Sequence, residues 1–144
     1  MRTALLLPLL GLLFACQRPP KAMVHPVGYF EIPVHDLDRA QRFYEGVFEV
    51  TLERRKVDGY DMALFPFAAG SAGATGALVK GDIYIPAKAG PVLYFGCQDV
   101  VRTLGRAVQA GGKVLYQPKT VEPGIMVAEF EDSEGNRIAL QSRP

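Results

Sequence analysis

Apolar and polar positions alternate along residues 27–34 (VGYFEIPV), a period-2 pattern that predicts a strand. The pattern then changes. Asp36 is suited to cap a helix, and Leu37, Ala40, Phe43, Tyr44 and Val47 follow at helical spacing, which predicts a helix over residues 37–48. Strands are expected near 50–57 and 60–67 and, past the Gly/Ala-rich loop AAGSAGATG, at 77–80. The second half repeats this order. A strand is predicted at 91–97 and a helix over 100–110, capped by Asp99 and ended by Gly111 and Gly112. Three strands follow at 113–117, 124–131 and 137–142, the last two joined by the turn-forming run Asp132-Ser133-Glu134-Gly135-Asn136. Asp36 answers Asp99 and Arg39 answers Arg102 at one constant offset, so the chain reads as a duplication. The expectation is an α+β fold of two βαβββ modules, residues 27–81 and 91–143, joined by GDIYIPAKAG. They would form a curved mixed sheet with the helices outside and a concave sheet surface enclosed within.

Ahead of this domain, Arg2 is followed by an uncharged run, ALLLPLLGLLFA. It is shorter than the ~20 apolar residues a membrane span needs, and it ends on a small residue. It reads as the core of a signal peptide over residues 1–15. Leu13-Phe14-Ala15-Cys16 resembles the lipobox of bacterial lipoproteins. That resemblance implies a diacylglyceryl group on Cys16, cleavage before it, and export to the cell envelope with the membrane as a partner. Residues 16–26 would then be the lipidated Cys and a stiff, proline-containing tether. Gln17 stands where an Asp commonly retains lipoproteins at an inner membrane, which implies the outer membrane, facing the periplasm, in a host with two. An ordinary secretory signal with an incidental Cys is the alternative. Cys97 lies in an apolar run and reads as a small core residue, and no disulfide framework is expected.

Composition adds exclusions. The 16 basic and 15 acidic residues of the 144 are interspersed and leave a net charge of +1. No basic stripe exists, so nucleic acid is not expected as a partner.

FEIPVHDLDRAQRFYEGVF, GALVKG, AGGKVLYQPKT and FEDSEGNRIALQS resemble the vicinal oxygen chelate superfamily, which includes glyoxalase I, bleomycin-resistance proteins and extradiol dioxygenases. Its metalloenzymes hold a divalent cation with His, Glu or Gln from the first and last strands of each module. Carried over, those positions fall on Tyr29, Ala77, Val92 and Ala139. Three of the four have no donor atom, whereas such a cation needs three or four. The expectation is therefore no metal and no other cofactor. Glyoxalase I also works on a glutathione adduct, a cytosolic thiol species that is odd for an exported protein.

Glu31 lies two residues past Tyr29 and should share its face. It is a candidate general base, or it pairs with Arg137, or it faces solvent. Tyr29 and Tyr94 are candidates to stack on a flat ligand, or simply to pack. His25 and His35 read as surface groups, and AAGSAGATG as a lid or a plain connector. Three functions follow as expectations. The first is a small, apolar or partly aromatic ligand held in a metal-free cavity lined by Tyr29, Glu31, Ala77, Val92, Tyr94 and Ala139, as in the sequestering branch of the superfamily. The second is a lyase, isomerase or dioxygenase-type enzyme. The third is an interaction module without a cavity ligand. The resemblance also implies a homodimer.

Overall fold

A computed structural model describes residues 27–142. The expected signal peptide and tether, with Cys16 and His25, lie outside the described residues. The first module runs β1 (Tyr29–Pro33), α1 (Leu37–Phe48), β2 (Glu53–Val57), β3 (Tyr60–Leu64) and β4 (Thr75–Lys80). The second runs β5 (Leu93–Cys97), α2 (Val100–Gln109), β6 (Lys113–Glu122), β7 (Ile125–Glu131) and β8 (Arg137–Ser142). The duplication is therefore real at the level of structure. Each module folds into one four-stranded sheet, ordered β1-β4-β3-β2 and β5-β8-β7-β6. In each, the first strand pairs in parallel with the last.

Both helices start where their caps predict. The side chains of Asp36 and Asp99 accept from the backbone N–H of Arg39 and Arg102, each at 2.9 Å. No helix among the described residues is long and apolar enough to cross a membrane. Most strand boundaries shift by one to five residues from the pattern, β3 for example ending at Leu64 rather than Phe67. β6 continues through Pro118 to Glu122, because an edge strand with register shifts on either side of that residue has no ladder donor to lose there. β4 starts two residues earlier, at Thr75. Gly76 permits this, since a Cβ there would lie 2.2 Å from the Phe30 carbonyl oxygen and 2.4 Å from its ring. Residues 50–52 stay outside β2, while Leu52 is buried in the core.

One apolar core serves both modules. It joins Ile32, Leu78, Phe43 and Val47 of the first to Leu104, Phe130, Ile138 and Leu140 of the second. Phe43 on α1 lies 5.9 Å from Phe130 on β7, and Phe95 on β5 lies 5.6 Å from Phe65, the residue after β3. Contacts reaching that far across each sheet place the helix layer between the two sheets. The reason lies in where apolar surface remains to be buried. Phe30, Phe65 and Phe95 pack on one another across the two modules, with Phe65 also 5.7 Å from Tyr44 of α1, so each module covers apolar surface of the other.

The loop between β7 and β8 fastens the modules. The Glu134 carboxylate accepts from the backbone N–H of His35 and Asp36, both at 3.0 Å, and from Arg39 Nε and Nη2, both at 2.8 Å. Burial raises its pKa, but the Arg39 and backbone donors outweigh that and hold the group below its usual value. Tyr44 Oη donates to Asp132 at 2.7 Å, and Asn136 Nδ2 donates to the Pro33 carbonyl at 2.9 Å. The turn-forming run is thus also the polar clasp between the two halves.

Candidate functional site

The helix-free sheet faces follow from strand alternation. Phe30 and Ile32 point into the shared core, so Tyr29, Glu31 and Pro33 point outward. The register sets Glu31 beside Ala77 on β4, and Leu64 pairs with Ala77. Ala77 and Val79 form a small buried cluster with Met62, packed against Tyr60, Leu64 and Tyr84. On the second sheet, Tyr94 pairs with Ala139, and Glu129 pairs with Ala139 from the other side. The pairs Glu31–Ala77 and Tyr94–Ala139 are equivalent places in the duplicated modules.

Tyr29, Glu31 and Ala77 therefore come together on one outer face, and Tyr94 and Ala139 on the other, while Val92, just ahead of β5, lines a groove between the sheets. Because both helix-bearing faces share one core, these outer faces lie on opposite sides of the chain. The enclosed concave surface expected from the sequence is not formed within a single chain. Tyr29 and Tyr94 are 47% and 52% exposed, as open faces require.

The four positions that hold metal in the superfamily do not fit a divalent cation here. Ala77 and Ala139 offer only methyl groups and are fully buried, and Val92 has no donor. The Tyr29 phenol has its pKa raised by burial and by the neighbouring Glu31, so it keeps its proton and donates poorly to a cation. No group of three or more His, Cys, Asp or Glu side chains among the described residues converges as a metal site would require.

Glu31 meets a partner that the pattern of apolar positions did not single out. Tyr84, in the connector between modules, donates its hydroxyl to Glu31 Oε2 at 2.7 Å. Its pKa is pushed up to about 12, first by that hydrogen bond and then by burial. Tyr84 also meets Tyr60 edge-on, with ring centroids 5.2 Å apart. The only signal in the sequence was an aromatic residue inside an otherwise turn-like connector. Arg137 is not the partner of Glu31. It grips Glu129 through two parallel hydrogen bonds, Nε at 2.8 Å and Nη2 at 2.9 Å.

Two grooves flank these faces. An apolar one of about 670 Å³ lies between the sheets, lined by Phe30, Phe48, Phe65, Val92, Tyr94 and Phe95. Ala72, Gly73 and Ala74 of the Gly/Ala-rich loop border it, so that loop sits at a groove mouth. A smaller one of about 330 Å³ runs along the seam lined by Glu31, Ile85, Ala87 and Arg137. His35 is exposed, and its backbone N–H, not its ring, makes the contact to Glu134. Cys97 packs, half-buried, against the shared core.

Paired βαβββ modules with these faces define a class of proteins that varies its chemistry on one scaffold. The family model described as the Glyoxalase/Bleomycin resistance protein/Dioxygenase superfamily matches residues 26–140, and the chain belongs to that family. No protein of curated function matches it. Among solved structures, a glyoxalase I variant from Zea mays superposes with a TM-score of 0.65 at 24% identity, over 81% of this chain. The chain spans about half of that enzyme, 46% of its length. A glyoxalase/bleomycin resistance protein from Albidiferax ferrireducens superposes with a TM-score of 0.63 at 17% identity, covering 81% of this chain and 98% of that one. A glyoxalase-related enzyme from Fulvimarina pelagi gives 0.62 at 17% identity, covering 82% and 88%. At these identities the likeness is one of fold.

Proposed function

We propose that this is an exported protein, held to the cell envelope by a lipid on Cys16, that binds a small, partly aromatic molecule without a metal ion. The observation that carries the reading is the pair of outer faces. They present Tyr29, Glu31 and Ala77 on one side and Tyr94 and Ala139 on the other, with Val92 at a groove between the sheets, rings and small side chains where the superfamily's metalloenzymes keep donors. Lying on opposite sides of one chain, the faces can enclose a ligand only when a second copy supplies its own. The lack of a donor atom at Ala77, Val92 and Ala139 supports sequestration over metal-assisted turnover. A base role for Glu31 is the competing reading, and Tyr84 already occupies one of its carboxylate oxygens.

The test is a titration of the purified, lipidated protein with the neutral aromatic 2-naphthol, combined with metal analysis and light scattering. Dimers, well under one equivalent of metal, and joint perturbation of Tyr29 and Tyr94 resonances are expected. Stoichiometric zinc, nickel or iron would overturn the metal-free reading. A dimer without any response to the probe would favour an interaction module.

A further inference from the structure

We infer that the first outer face recognises an organic ammonium ion, with Glu31 as the counter-charge and the rings of Tyr29, Tyr60 and Tyr84 as the surrounding walls. This deepens the proposed ligand-binding role and rests on it. Charge is out of balance on this face. Glu31 is exposed on a face floored by Ala77, Val79 and Met62, and no Lys or Arg among the described residues pairs with it. Two basic side chains that could answer it are committed elsewhere. Arg137 holds Glu129, and Arg55, on the same face across Met62, holds Glu53 at 2.8 Å.

What surrounds Glu31 instead is aromatic. Tyr29 precedes it by two residues on β1 and shares its face. Tyr84 is anchored to it at 2.7 Å, and Tyr60 stands almost perpendicular to Tyr84, at 83°. Two rings meeting at a right angle form a corner, and each presents electron-rich surface to whatever enters. Anchoring by a hydrogen bond fixes the Tyr84 ring before a ligand arrives, so less freedom is lost on binding. A quaternary or protonated amine satisfies both features at once: its charge meets Glu31 and its methyl or methylene shell meets the rings. A metal ion would not use the rings, and a neutral aromatic would not use the carboxylate.

The connector strengthens the case. Tyr84 is followed by Ile85, 70% exposed, and preceded by Ile83, 72% exposed, yet Tyr84 itself turns inward onto the face. Gly81 makes this turn close: a Cβ there would lie 2.6 Å from the Tyr60 ring and 3.1 Å from Tyr84. The connector thus delivers one aromatic wall to a face otherwise built only from strands.

The experiment uses the full lipidated protein in a neutral maltoside detergent, with choline and its uncharged isostere 3,3-dimethylbutan-1-ol as probes, read by tyrosine resonance shifts. Choline is expected to bind at least about tenfold more tightly than the isostere. Glu31→Gln, an exposed and conservative change, is expected to abolish that preference, and Tyr84→Leu to weaken choline while leaving the fold intact by circular dichroism. Equal binding of the two probes, or an unchanged preference in Glu31→Gln, overturns the inference. If 2-naphthol still binds in that case, the proposed function survives without it; if neither probe nor 2-naphthol binds, both fail. Vesicles of phosphatidylcholine that displace choline, where phosphatidylglycerol vesicles do not, would identify a lipid headgroup as the source. Failure of both to displace it identifies a soluble amine, and either result upholds the site.

Discussion

Glu134→Ala removes one part of the clasp between the modules and leaves Asp132 and Asn136 in place, and its cost can be worked out contact by contact. The parent carboxylate is fully buried and takes two backbone N–H groups, from His35 and Asp36, two from Arg39, and the Ser133 hydroxyl, which can turn to water when the carboxylate is lost. Losing the acceptor for two partly buried backbone donors costs about 1 kcal/mol each. The Arg39 side chain is 49% exposed, so water can replace its partner and the ion pair adds only about 1 kcal/mol. The sum is about 3 kcal/mol, or roughly 10 °C in midpoint for a domain of this size. Urea unfolding followed by far-ultraviolet circular dichroism measures it. The pH dependence supplies a second check. The folded-state pKa of Glu134 is lowered, so as pH falls the unfolded chain takes up the proton first. The stability it contributes is complete above about pH 5 and is lost as pH drops through the folded value. The gap between parent and variant should therefore be widest at neutral pH and should narrow toward pH 3. A gap below about 1 kcal/mol at pH 7, or one that stays constant down to pH 3, would refute the reasoning.

Two further outcomes are expected. Gly76→Ala places a Cβ against both the Phe30 carbonyl and its ring, with backbone on one side that cannot move away, and should destabilise by about 2–3 kcal/mol in the same urea assay; a loss under 1 kcal/mol would mean β1 and β4 separate more easily than their register suggests. Cys16→Ser should abolish incorporation of labelled palmitate and release the protein from the membrane fraction, and unchanged partitioning would count against the anchor.

The α+β class was legible because its signals are local. Period-2 and helical spacing, together with the caps Asp36 and Asp99, locate both helices and the order of all eight strands. Strand alternation put Glu31 and Tyr29 on one face, where β1 carries them, and the constant offset between the halves set Val92 as the counterpart of Tyr29. Other features depend on contacts distant in sequence. The partner of Glu31 turned out to be Tyr84, 53 residues away, and nothing in the local pattern of GDIYIPAKAG marks that ring as folding back onto β1. Likewise, the run from Asp132 to Asn136 reads as a turn. Its second role, holding Tyr44, Arg39 and Pro33, is written in side-chain geometry across 88 to 103 positions.

By itself, the sequence determined two modules, the faces of their strands, and the absence of donor side chains at Ala77, Val92 and Ala139. Those are properties of residue identity and short-range periodicity, and no tertiary arrangement can supply a ligand atom to an alanine. Only the tertiary structure decided which way the modules face. A strand pattern says that one side is apolar, but not whether that side meets its own helix alone or a second module as well. Burying Phe30, Phe65 and Phe95 together settled it: the helices went to the middle, and the two candidate ligand faces went to opposite sides of the chain.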